Sequence, residues 1–122
     1  YQKTILHCYG KIAAKLNDFL ICENLGDMNM GHQSIWCYES AAIYLEDPSI
    51  CENVVEGYRY LCYSGLALDL EDPSICEKAG IEINNCYYMA AHYFYDSSIC
   101  ENIKEEKAKI VCYDNSLFEK VE

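Results

Sequence analysis

Apolar residues recur along this chain with a helical rather than a strand period, and they recur in copies. Aligned on Cys8, Cys37, Cys62 and Cys86, the positions 0, 1, 4, 5 and 8 residues on read Cys, Tyr, a small or branched apolar residue, Ala, and Leu or Phe. On a helix turning 100° per residue those positions fall within about 140° of one another, so each copy predicts one helix with a single buried stripe. Ten residues after the cysteine comes Asp18, Asp47, Asp72 or Asp96, and the copy closes on Ile-Cys-Glu at residues 21–23, 50–52, 75–77 and 99–101. In Asp47-Pro48 and Asp72-Pro73 an N-cap is followed by a residue lacking the amide that a first turn leaves unsatisfied, which starts a second, shorter helix. Asp is preferred over Ser as the cap because the first copy keeps Asp18 but has Leu20 where the others have Ser.

The stretch from each Ile-Cys-Glu to the next copy varies in length, and one inserted residue would rotate a continuous helix face by 100°. A loop is therefore expected there, with Gly26, Gly31, Gly57 and Gly80 ending helices in the left-handed conformation. The last such stretch, "ENIKEEKAKIVC", has no glycine and is expected to run straight through. The whole predicts one all-α domain over residues 1–122, with four full repeats beginning at Cys8, Cys37, Cys62 and Cys86 and a truncated fifth at Cys112. About nine short helices form α/α hairpins stacked into a right-handed superhelix, since such units bury their stripes only against neighbours.

Nine cysteines in 122 residues indicate an oxidising compartment, or a hyperthermophile that keeps disulfides internally. Their gaps are 14, 15, 14, 11, 14, 10, 14 and 12, without the close pairs of structural zinc sites, so no metal and no cofactor is expected. The invariant 14-residue gap spans a tight corner and predicts the pairs Cys8–Cys22, Cys37–Cys51, Cys62–Cys76 and Cys86–Cys100. Pairing across the variable gap would be strained if those residues were helical, because 11 helical residues rise roughly 16 Å and a disulfide needs α-carbons within about 7 Å. Cys112 is left as a free thiol, or as a bridge between two chains of a dimer; otherwise the chain is a monomer.

The pattern C-Y-x₃-A-x₂-L-x-D-P-S-I-C-E resembles a cysteine-rich, disulfide-bonded helical repeat of hyperthermophilic archaeal proteins whose activity is unassigned. The resemblance covers nearly the whole chain. It implies a right-handed α/α superhelix of tetratricopeptide-like shape, although the W-x₂-L-G-x₂-Y signature of tetratricopeptide arrays is missing.

The net charge of −11 repels a phosphate backbone, which sets nucleic acid aside. No run of 18 apolar residues is present to insert into a membrane, and no leader of basic, apolar and small residues. The histidines His7, His32 and His92 sit at non-equivalent places and read as packing or solvated residues. The recurrent Asp and Glu read as helix-start residues that favour the positive end of the helix dipole. Without a nucleophile elbow, a zinc-binding helix or a phosphate loop, the chain reads as a non-enzyme.

Twelve tyrosines remain. Those following cysteine read as packing residues with the hydroxyl at the edge. Trp36, Tyr44, Tyr58, Tyr60, Tyr88, Tyr93 and Tyr95 lie elsewhere and are candidates for an exposed surface. With the acidic charge they suggest a module that engages a protein or peptide of basic character through the superhelical groove. The alternative is a structural, protease-resistant spacer or envelope fragment with no ligand. Either role suits an extracellular or cell-envelope location, or the cytoplasm of a hyperthermophile.

Overall fold

The computed structural model describes residues 2–26 and 31–121; the side chains of His7 and His32 lie outside those described. Six α-helices run over Gln2–Leu16 (α1), Leu20–Gly26 (α2), Gly31–Leu45 (α3), Arg59–Asp69 (α4), Ile83–Phe94 (α5) and Glu106–Val121 (α6). Three 3₁₀ helices, Pro48–Asn53 (η1), Pro73–Glu82 (η2) and Ser97–Asn102 (η3), alternate with the later long helices. Among the described residues there is no strand. Each long helix packs on the next long helix, and each short element packs on the long helices before and after it.

The buried stripe is the one the pattern predicts, with one limit. Cys37, Tyr38, Ala41 and Ala42 of α3 are buried, as are Cys62, Tyr63, Leu66 and Ala67 of α4 and Cys86, Tyr87, Ala90 and Ala91 of α5. The eighth position reaches only the edge of the core: Leu16 and Leu45 are exposed, and Leu70 and Phe94 are half-buried against it. Alanine at the repeated positions keeps the helices thin, and the chain exploits this where α1 meets α3. A β-carbon on Gly10 would lie 2.3 Å from the Cys37 carbonyl oxygen and 2.6 Å from Ser40 Cβ, so only glycine permits that approach.

Each of the first four copies ends its long helix in the same way. Asn17, Glu46, Glu71 and Tyr95, nine residues after the cysteine, have φ of 51–54°. The next residue, always Asp, donates its amide to the repeated alanine carbonyl: Asp18 to Ala13 (3.0 Å), Asp47 to Ala42 (3.0 Å), Asp72 to Ala67 (2.8 Å) and Asp96 to Ala91 (3.0 Å). Together with the adjacent bonds from Asn17, Glu46, Glu71 and Tyr95 to the carbonyls three residues back, these form Schellman closures built without glycine. The same Asp then caps the short helix. Asp47, Asp72 and Asp96 accept from the amides of Ser49, Ser74 and Ser98 at 3.0–3.1 Å and from their hydroxyls at 2.6–2.7 Å, while Asp18 accepts from the Leu20 amide at 3.1 Å. Of the four glycines expected to be left-handed, Gly57 (φ 101°) and Gly80 (φ 64°) are, and Gly80 breaks η2; Gly26 closes α2 and Gly31 opens α3.

The disulfide pairing differs from the one expected. Cys22 is bonded to Cys37, Cys51 to Cys62, Cys76 to Cys86 and Cys100 to Cys112, with α-carbons 5.4–5.8 Å apart. Cys112 is therefore buried and oxidised, offers no thiol to a dimer, and Cys8 is the free and exposed cysteine. The physical reason lies in the short helices. Only α2 is α-helical; the other three are six- to ten-residue 3₁₀ segments closed by bonds such as Ile50 N–H to Asp47 O and Val54 N–H to Cys51 O. Isolated turns that brief recover too little to extend as α-helix, so the chain bends just past each Ile-Cys-Glu and the 16 Å separation never builds up. Conversely, α3 continues eight residues beyond Cys37 to Leu45, a rise of about 12 Å that carries the chain away before Cys51 is reached. The glycine-free fourth stretch breaks as well, with Ile103–Glu105 outside any helix.

Three of the four junctions also carry a hydrogen bond beside the disulfide. The hydroxyls of Tyr63, Tyr87 and Tyr113 donate to the carboxylates of Glu52, Glu77 and Glu101. These are the residues that follow the two half-cystines of each bridge, so Cys-Glu of one unit clasps Cys-Tyr of the next. The glutamate is thus an acceptor across the junction and not merely a helix-start charge. Arg59 and Lys109 reinforce two junctions from 3.8 Å away, at Glu52 and Glu101. At the first junction Tyr38 is buried near Glu23, and burial followed by that charge pushes its hydroxyl up to about 12.

One buried carboxylate stands outside the repeat. Glu82 is 6% exposed and accepts from the amides of Gly57 (2.9 Å) and Tyr60 (3.0 Å). Tyr58, at the N-cap of α4, makes no side-chain capping bond. Glu82 supplies the missing acceptor from the following unit, and its negative charge suits a helix N-terminus.

Candidate functional site

A recess lies where α3 faces α4. Ile35, Trp36, Glu39 and Ile43 recur at near-fourfold spacing on α3, Leu61, Gly65 and Leu68 do so on α4, and both rows turn one face to a cavity of about 480 Å³. Asp69 and Glu71 line its end, and Tyr93 reaches it from α5. Ile35, Ile43, Leu61 and Leu68 make the lining largely aliphatic and its charged groups are all acidic; among the described residues neither lysine nor arginine lines it.

Gly65 opens the middle of the recess. A β-carbon there would fall 2.5 Å from Glu39 Oε2, so the Glu39 carboxylate rests directly over the α4 backbone. Tyr93 is half-buried, and its hydroxyl is held above its ordinary range by burial first, then by the Glu39 charge and by Tyr60. A neutral phenol, an indole and three carboxylate side chains therefore line one recess. Such a set attracts a cation in two ways, by charge and by the negative faces of the rings.

Of the seven candidate aromatic residues, the structure brings two into this recess, Trp36 and Tyr93, both half-buried. Tyr93 packs edge-on to His92, with ring centroids 6.4 Å apart. The others are dispersed. Tyr44 is exposed on α3 and already holds a cation, with Lys11 Nζ 5.5 Å from its ring centroid. Tyr58 and Tyr95 are exposed at helix ends, Tyr95 as a left-handed closing residue. Tyr60 is half-buried at the start of α4. Tyr88 lines a second recess of about 380 Å³ with Asn84, Asn85, Glu105, Lys107, Ala108 and Val111, and its hydroxyl accepts from Asn115 Nδ2 at 2.8 Å.

Sequence reasoning missed Glu39, Asp69 and Glu71: Glu39 and Asp69 do not recur between copies, and Glu71 recurs only as Glu46. The available signal was departure from the repeat: the positions of Glu39 and Asp69 hold Gly10 and Lys15 in the first copy. No helix of the described residues is long and apolar enough to cross a membrane. No protein-family model, curated protein or solved structure matches this chain.

Proposed function

We propose that the chain is a non-enzymatic binding module whose α3–α4 groove takes a basic segment of a protein or peptide, seating a lysine or arginine side chain between Trp36 and Tyr93. The observation that carries this reading is the composition of the groove: a largely aliphatic lining, two aromatic residues and the acidic trio Glu39, Asp69 and Glu71, with no lysine or arginine among the described residues that line it. The aliphatic stem of such a side chain suits the aliphatic residues and its charged head suits the carboxylates. Packing of each long helix on the next supports a stacked array, as the resembled archaeal repeats imply, with the groove on one of its faces. Four disulfides support an oxidising setting, extracellular or at the cell envelope.

Trp36 is the only tryptophan, so its fluorescence reports on the groove directly. Titration with lysine- or arginine-containing peptides should shift the emission, whereas acidic peptides should not. Affinity should fall as salt rises, and E39Q or D69N should each weaken it about two- to fivefold, the scale of one partly exposed charge pair. An emission indifferent to every basic peptide would replace this reading with that of a ligand-free spacer.

A further inference from the structure

The first long helix exposes the cysteine that every later one buries. In α3, α4, α5 and α6 the repeated cysteine is no more than 1% exposed, being covered by the Ile-Cys-Glu segment of the preceding unit. In α1 the equivalent Cys8 is exposed and unoxidised. Tyr9 is 42% exposed where Tyr87 is 2%, and Ile12 is 46% exposed where Ala41, Leu66 and Ala90 are fully buried. With Leu16 these residues form one apolar face along α1.

We propose that this face of α1 is a seat for an Ile-Cys-Glu segment of the kind the chain itself uses at its four junctions. The occupant would bond its cysteine to Cys8, place its glutamate on the Tyr9 hydroxyl and bury its isoleucine against α1. The internal junctions are the template. Ile50, Ile75 and Ile99 are buried, and Glu52, Glu77 and Glu101 hold Tyr63, Tyr87 and Tyr113. A second copy of the folded chain cannot supply this occupant, because all four of its Ile-Cys-Glu cysteines are already oxidised within the chain.

The test uses the full chain and a synthetic heptapeptide, Asp-Pro-Ser-Ile-Cys-Glu-Asn, whose cysteine carries thionitrobenzoate as a mixed disulfide. The Cys8 thiolate attacks the peptide sulfur, a new disulfide forms, and the thionitrobenzoate thiolate leaves with the electron pair; the Cys8 proton goes to solvent. No external oxidant is required. Release should run about five- to tenfold faster than with a peptide of scrambled order or one with alanine for glutamate, the scale of one charge-assisted hydrogen bond and one seated side chain. Mass mapping should place the adduct on Cys8 alone, and C8S should take none. Y9F should still react but should no longer distinguish the glutamate peptide from the alanine peptide. Equal rates for all peptides would overturn the proposal. So would a Cys8–Cys8 dimer that forms in preference to the adduct when the peptide is in excess.

Discussion

Tyr87 donates its hydroxyl to the carboxylate of Glu77, and the two residues lie one step along the chain from Cys86 and Cys76, which are bonded to each other. A covalent and a polar tie thus act at adjacent positions of one junction, and the arrangement recurs at Glu52–Tyr63 and Glu101–Tyr113. The disulfide limits how far the units separate, while the hydrogen bond fixes how they are turned.

Removing the hydroxyl tests the second role. Y87F should cost about 1–2 kcal/mol in denaturant unfolding, as expected for a bond to a charged acceptor. Burial, then the bond to glutamate, raises the hydroxyls of Tyr63 and Tyr87 above their ordinary 10.0, and burial raises that of Tyr38 to about 12. A raised value means the folded state holds the proton more tightly, so the stabilisation is intact below pH 10 and declines as pH climbs from there toward 12. Stability measured across that range should fall, with part of the tyrosinate absorbance appearing only as the chain unfolds. A fall of equal steepness in a chain carrying Y38F, Y63F and Y87F would refute the assignment.

Glu82 should behave as a buried cap. E82A leaves the amides of Gly57 and Tyr60 without their acceptor and should destabilise the chain by about 2–3 kcal/mol. E82Q, which keeps the oxygen but loses the charge, should cost less. Hydrogen exchange should quicken at Gly57 and Tyr60 first.

Peptide mapping without reduction should find Cys51 joined to Cys62 and Cys76 joined to Cys86, and one thiol reactive in the native protein, at Cys8. Replacing Cys76 and Cys86 together with serine should cost roughly 2.5–3 kcal/mol in the chain-entropy account of so short a loop. Recovery of a Cys62–Cys76 peptide would contradict the fold described above.

Two glycines should respond oppositely to the same substitution. G10A drives a methyl into the Cys37 carbonyl and Ser40, neither of which can yield without parting α1 from α3, and should cost about 2–3 kcal/mol. At Gly65 the obstacle is the end of the Glu39 side chain. G65A should therefore be tolerated within about 1 kcal/mol while shifting Trp36 emission, because Glu39 must leave its place in the groove.

The repeat was legible because it is written in residues that do one local task each. Asp47 caps, and Ala42 and Tyr63 fill a stripe; all three follow from spacing and side-chain chemistry. The pairing of cysteines was not legible, because it turned on whether the chain after each Ile-Cys-Glu continues as one helix or breaks before the next long helix, as it does at Val54 and Ile103. Glu82 was invisible for a related reason: its partners lie 22 and 25 residues away and outside the repeat. The groove was half legible. Trp36 and Tyr93 stood out as surplus aromatic residues, but only the apposition of α3 and α4 selects them from among seven and adds Glu39 beside them.

Since the disulfides join one unit to the next, the backbone is divided into closed rings and open spans. The exposed, non-helical bend at Val55–Gly57 lies inside the ring closed by Cys51 and Cys62, and the break at Ile103–Glu105 lies inside the ring closed by Cys100 and Cys112. The open span from Cys62 to Cys76 is mostly the α4 helix and its Asp-capped closure. A peptidase that reaches the most accessible backbone consequently cuts within a ring, and both sides of the cut stay on one molecule. To separate the chain it must cleave where the amides are already engaged in helix and Schellman bonds. Damage at the surface is thereby turned into a nick that the covalent frame retains.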